Sequence, residues 1–192
     1  MRARVAAATL VCSMVTSAVI VAQPASDTVD VSVSPITALE SLRPLSLVGR
    51  SELRVAFFKV FDSTLYTKSG EWTNPKHSFR FLLTYRRNIS GRFLANQTAK
   101  EWDHLGLMDA RRAAWEAQVL EMWPDVSKGD KITFDVDERG TSRFYYNGTW
   151  VGAIEDPDFA PAFIAIWLSP ETSRPAHRDG LLAGSYGLKR VV

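Results

Sequence analysis

The 192-residue chain carries 23 Lys and Arg against 21 Asp and Glu, a balance too even to favour nucleic acid or an anionic membrane surface as partner. A single cysteine excludes a disulfide framework, so a core drawing on 6 Trp and 10 Phe has to hold the fold. A chain of this length suits one domain that buries most of its apolar surface.

Residues 1–22 read as a secretory signal peptide. Arg2 and Arg4 make a basic start, and Val5 to Val21 is an apolar run broken only by Thr9, Cys12, Ser13, Thr16 and Ser17. Ala22 before Gln23-Pro24 supplies the small residue at the exit, with cleavage expected after it. A membrane anchor needs about 20 mainly apolar residues, and this run is shorter and speckled with hydroxyls. The mature chain is therefore expected in the periplasm or outside the cell, with no transmembrane segment. Losing Arg2, Arg4 and Cys12 leaves it with 21 charges of each sign and no thiol.

Residues 23–45, rich in Ser, Thr and Pro, read as a loose lead-in to a single domain over 46–192. "LSLVG" is a short strand with Gly49 as a turn signal, and Ser51 to Tyr66 is extended by its β-branched and aromatic content. Residues 78–87 alternate strictly, with Phe79, Phe81, Leu83 and Tyr85 on one face. The period then turns helical over 90–106, with Ser90 as cap and Gly106 as stop. A second helix over 109–124 is expected, capped by Asp109 and ended by Pro124. Its stripe is Ala113, Val119, Leu120 and Trp123, flanked by Trp115 and Met122.

Strands return over 131–140 and 141–156, with Asn147-Gly148 as a tight-hairpin turn. A helix opened by Asp156 and Pro157 runs to 169 with Phe159, Phe163, Ile166 and Trp167 on one side, and a last short helix covers 174–184. Strands and helices are segregated, which makes the fold class α+β.

The usual chemical motifs are missing. His77, His104 and His177 stand apart with no ligand at metal-binding spacing. No Gly-rich phosphate loop and no G-x-S-x-G elbow occurs, and the acidic runs at 135–140 and 155–158 lack calcium-loop spacing. No metal and no cofactor is expected. What stands out is Arg54, a guanidinium within an apolar, strand-like run.

The stretches "LVGRSELRVAFFKVFDSTLY", "LLTYRRNIS", "EWDHLG", "PDVSKGDKITF", "FYYNGTWVGAIEDPDFAPAFIAIWL" and "RDGLLAG" follow one another in this order. On them the chain, from about Leu47 to Gly184, resembles the chalcone isomerase-like family in its exported bacterial branch. The resemblance implies an open-faced β-sandwich: a large antiparallel sheet with helices packed on one face and a ligand cleft between the layers. Family members that bind fatty acids hold the carboxylate with an Arg beyond the first glycine-bearing turn and a Tyr at the end of the following strand. Arg54 and Tyr66 match these positions, and Phe58, Phe81 and Trp102 are expected to line the tail site. A guanidinium fork suits a carboxylate, and aromatic walls suit an acyl chain.

One unbroken strand would place Arg54 and Tyr66 on the same face but about 40 Å apart. Sharing a ligand therefore requires the chain to fold back between them, and the resemblance implies that it does, although no Gly or Pro in 56–59 announces a turn. True chalcone isomerases carry a Thr five residues before that Tyr, where this chain has Phe61, and a Tyr on the helix after the next strand. Here no tyrosine occurs between Arg86 and Ala114.

The resemblance thus implies an exported, non-catalytic binding protein for a small apolar carboxylate such as a fatty acid. Two alternatives stay open. One is an intramolecular lyase or isomerase acting on an enone through Arg54. The other is a structural protein with a self-filled cleft, in which Arg54 is paired with Glu52 or Glu155. The ligand's identity and the oligomeric state are left open.

Overall fold

The computed structural model of the protein describes residues 44–187. The expected leader over 1–22, and all but the last two residues of the lead-in, lie outside the described residues. Strand β1 (Ser46–Val55) runs into β2 (Phe58–Thr67) through a two-residue turn. Ala56 takes a left-handed conformation there, with φ of 52°. The extended run of 51–66 is therefore two strands, with the fold-back that the family resemblance implies. A left-handed first turn residue suits the right-handed twist of a hairpin, so the turn forms without the glycine that would normally signal it.

Strand β3 (Phe79–Tyr85) follows, then helices α1 (Gly91–His104) and α2 (Arg112–Met122), then β4 (Lys131–Val136), β5 (Ser142–Tyr146) and β6 (Thr149–Ile154). The six strands form one antiparallel sheet in the order β1-β2-β3-β4-β5-β6. Asn147 and Gly148 both have positive φ at the β5–β6 turn, as that dipeptide demands. Helices α3 (Phe159–Leu168) and α4 (Pro175–Gly187) close the described chain. Among the described residues no helix is long and apolar enough to cross a membrane.

The sheet's period-2 alternation sorts its residues by face. Register aligns Leu65, Phe81, Phe134 and Phe144 across neighbouring strands, and all four are buried. The helices cover this face. Phe163 of α3 sits 4.9 Å from Phe134 and 5.6 Å from Phe144, ring centroid to centroid, and Trp167 lies 4.9 Å from Phe81. Burying each such ring contributes about 1.5–3 kcal/mol over leaving it in water. The opposite face carries Glu52, Asp62, Tyr66, Arg80 and Asp135, with Arg80 and Asp135 in a buried ion pair at 3.0 Å.

Three local readings change. Gly49 is not a turn residue but lies within β1, because helix α4 comes so close that a Cβ there would stand 2.3 Å from the Leu181 carbonyl oxygen. Asp109 does not cap α2, which begins at Arg112; its carboxylate accepts from the Arg111 backbone N–H at 2.8 Å and from the Arg111 guanidinium. The buried side of α2 is Trp115 and Val119, one turn apart, while Ala113 and Leu120 are exposed. Ser90 does cap α1, accepting from the Phe93 N–H at 3.2 Å, and Gly106 follows that helix with φ of 64°.

Candidate functional site

The sheet and its helices do not meet everywhere. A cavity of about 590 Å³ remains between β1–β5 on one side and α1 and α3 on the other. That volume falls within the range of small-molecule sites. Its walls are apolar: Leu53 and Val60 from the first hairpin, Phe81 and Leu83 from β3, Phe134 from β4, and Phe163 and Ile166 from α3. Val60 and Phe61 both face it, because a one-residue bulge in β2 sets Leu53 against Phe61 and Arg54 against Lys59.

The lining also takes in polar groups that are exposed or half-buried. Arg87 and Asn88 follow β3, Gln97 and Glu101 project from α1, and Arg174 precedes α4. Glu101 is already engaged: Gln97 Nε2 donates to it at 3.0 Å and Ser173 Oγ at 2.7 Å. Arg87 lies over the Phe58 ring, 4.6 Å from its centroid. No carboxylate of the described residues forms an ion pair with Arg87 or Arg174. Tyr85 lines the interior, and burial holds its phenol well above the ordinary value, so it remains a neutral hydrogen-bond donor.

Of the five residues singled out from sequence, Phe81 lines the cavity and the other four do not. Arg54 alternates with the inward-facing Leu53 and Val55, so its side chain leaves by the opposite face, where it pairs with Glu52. That is the carboxylate pairing held open above, at an exposed rather than a buried position. Tyr66 sits on the same outer face, opposite Leu47 and Arg80, about 23 Å along β2 from Lys59 by strand rise. Phe58 is 59 % exposed outside the cavity mouth. Trp102 is wholly buried in the helical layer, where its indole N–H donates to the Ala162 carbonyl at 2.9 Å.

Arg87, Arg174 and Tyr85 escaped the sequence reading as site residues. Arg87 had a signal: it continues the odd-numbered face of Phe79, Phe81, Leu83 and Tyr85 by one more step. Arg174 had none, since it stands in an irregular link before Pro175.

A second polar feature lies beneath the cavity wall. His177 of α4 is buried edge-on to Phe61, with centroids 5.8 Å apart, and its Nε2 is 3.0 Å from Ser63 Oγ. Ser63 Oγ donates to the Ser51 carbonyl at 3.1 Å, so the imidazole carries its proton on Nε2 and donates to Ser63. Nδ1 has no partner. Burial pushes the imidazole pKa down, opposed by the Glu52 backbone carbonyl and reinforced by the nearby Arg174 charge. The unfolded chain then binds a proton that the folded chain refuses. Stability should therefore fall as pH drops below about 6.5, by up to about 1.4 kcal/mol per pH unit until the folded value is passed. His177→Gln keeps a donor for Ser63 but cannot titrate. Urea unfolding between pH 6.5 and 5 should slope in the parent and flatten in this variant, and equal slopes would remove His177 as the cause.

Among the described residues no group of three His, Cys, Asp or Glu is placed to hold a metal ion. Comparison with known proteins adds three findings. A family profile described as chalcone isomerase-like matches residues 25–183. A Haemophilus influenzae protein carrying no functional description is 27 % identical over 127 residues, which cover 66 % of this chain and only 62 % of that relative's length. The crystal structure of an Arabidopsis thaliana fatty-acid binding protein superposes with a TM-score of 0.60 at 10 % identity, over 75 % of this chain and 89 % of that one. At that identity the likeness is one of fold.

Proposed function

The chain belongs to the chalcone isomerase-like family, and from that premise we propose that it is an exported carrier for a small amphiphile with an apolar tail and a carboxylate head, such as a fatty acid. The observation that carries this reading is the pairing of an apolar cavity of about 590 Å³ with two exposed arginines in its lining, neither bound to a carboxylate of the described residues. The tail lies against Phe81, Leu83, Phe134 and Ile166, and the carboxylate meets Arg174 and Arg87. The fatty-acid ligand named for the Arabidopsis neighbour of the same fold supports the same class. Arg54 and Tyr66 stay outside this assignment, because they project from the far face of the sheet.

Catalysis has less support. Polarising an enone needs several donors aimed at one oxygen, and Arg54 stands apart from the cavity.

Native mass spectrometry of protein recovered from the exporting host checks both halves of the proposal. The expected mass is that of a chain beginning at Gln23 with one fatty acid attached, the acid being lost on denaturation. A chain that retains residues 1–22 overturns export. A ligand-free chain that also fails to bind added palmitate overturns the carrier reading.

A further inference from the structure

Among the described residues the β1–β2 hairpin ends in apolar side chains left largely exposed. Phe57 at the turn is 92 % exposed, Phe58 59 % and Val55 45 %. Phe93, at the start of α1, is 56 % exposed. Ordinary solvation does not favour two adjacent bare phenylalanines at the tip of a two-residue turn, and grouped exposed apolar residues mark an interaction surface.

Two further observations say what the surface meets. First, it is continuous with the cavity: Val55, Arg87 and Phe93 line the cavity and are themselves exposed, so they form its mouth. Second, the apolar tip is ringed by cations. Arg54 and Lys59 share Glu52, Arg86 binds Asp62, Arg87 lies over Phe58, and Arg92 adjoins Phe93 in sequence. With Asp125 accepting from the Gly91 N–H beside Arg92, five cations against three carboxylates leave two positive charges in excess, a local surplus hidden in the near-neutral total. Aromatic side chains flanked by Arg and Lys have the chemistry of an anionic lipid interface, where rings enter the acyl boundary and cations meet the head groups.

We infer that the β1–β2 hairpin is a membrane-docking element: Phe57 and Phe58 insert into an anionic bilayer surface and set the cavity mouth against it, so that an apolar ligand enters tail first without crossing water. The inference rests on the carrier reading above and supplies its loading route. Docking leaves the ligand's carboxylate for last, beside Arg87 at the rim.

Co-sedimentation with vesicles tests it. The protein is expected to bind vesicles of equal parts phosphatidylglycerol and phosphatidylcholine, to bind pure phosphatidylcholine much less, and to be released by high salt. Phe57→Ser with Phe58→Ser should weaken vesicle binding by about tenfold or more, and Arg92→Glu should weaken it on the anionic vesicles alone. Both variants should keep the parent's urea midpoint, and Arg92→Glu, which lies outside the cavity lining, should also keep its affinity for cis-parinaric acid in solution. Equal vesicle binding by parent and double-serine variant, or none by the parent, overturns docking. So does hairpin-dependent self-association without lipid binding, which would make the tip an interface between copies. If vesicle binding persists while cis-parinaric acid fails to bind, the carrier reading and this loading route both fall. If the acid binds and vesicles do not, only docking falls.

Discussion

Arg174→Ala is expected to weaken palmitate binding by about tenfold to a hundredfold, and Arg87→Ala to do the same. A hydrogen bond to a charged group is worth about 1.5–3 kcal/mol, and its loss leaves a carboxylate at the edge of an apolar space with one fewer counter-charge. Cavity walls supply most of the affinity but do not distinguish an acid from an alcohol. Hexadecanol affinity should therefore change little in either variant, and the acid-to-alcohol preference should collapse in the double variant. Glu101 sharpens the test. It is a carboxylate in the same wall, held by Gln97 and Ser173, and it repels an incoming anion. Glu101→Gln should tighten palmitate and leave hexadecanol unchanged. Arg54→Ala, whose side chain pairs with Glu52 on the far face of the sheet, should leave palmitate affinity within about twofold, as expected of an exposed ion pair. A larger loss in Arg54→Ala than in Arg174→Ala, measured by fluorescence displacement, would return the head group to the other face of the sheet.

Gly49→Ala should cost about 3 kcal/mol or more, a large share of the 5–15 kcal/mol that holds a typical domain. The added Cβ would stand 2.3 Å from the Leu181 oxygen, 2.7 Å from its carbonyl carbon and 2.8 Å from the Gly180 oxygen. All three are backbone atoms, so no side chain can swing aside and the helix itself must move. Gly184 makes the reciprocal contact, with a Cβ there 2.0 Å from the Val48 oxygen. Because both substitutions push apart the same pair of elements, the double variant should cost less than the sum of the two. Urea midpoints measure this. A loss under about 1 kcal/mol for Gly49→Ala would mean that α4 can lift from β1 almost freely.

Much of the architecture was legible because it follows short-range periodicity. The odd-numbered aromatic face of β3, the Asn147-Gly148 turn and the Ser90 cap are each set by a few neighbouring residues, and the structure shows all three. Other features depend on distant chain. Gly49 looks like punctuation until helix α4, some 130 residues later, is laid across it. The turn at Ala56 has no glycine to announce it, so the sequence reads as one extended run. Side-chain facing was the largest gap for the candidate site. Arg54 drew attention as a charge in an apolar run, yet alternation with Leu53 and Val55 sends it outward. The same alternation, carried one step past Tyr85, sets Arg87 on the cavity's side of the sheet, at its mouth. Arg174 reaches the cavity through tertiary packing, which no local pattern encodes.

The joint between β3 and β4 has a consequence for how the molecule assembles. Thr84 and Lys131 are neighbours across the sheet, yet α1 and α2 lie between them in the chain. The outer pairs zip up through two-residue turns, whereas this central seam must wait until a long excursion has been gathered in, at an entropic cost that grows with its length. Phe81 and Leu83 stand on one bank of the seam, Ile132 and Phe134 on the other, and the cavity straddles them. On the carrier reading proposed above, cargo lodged there would act as mortar, gripping the two halves where they are knitted last, and an empty molecule should begin to part along that line.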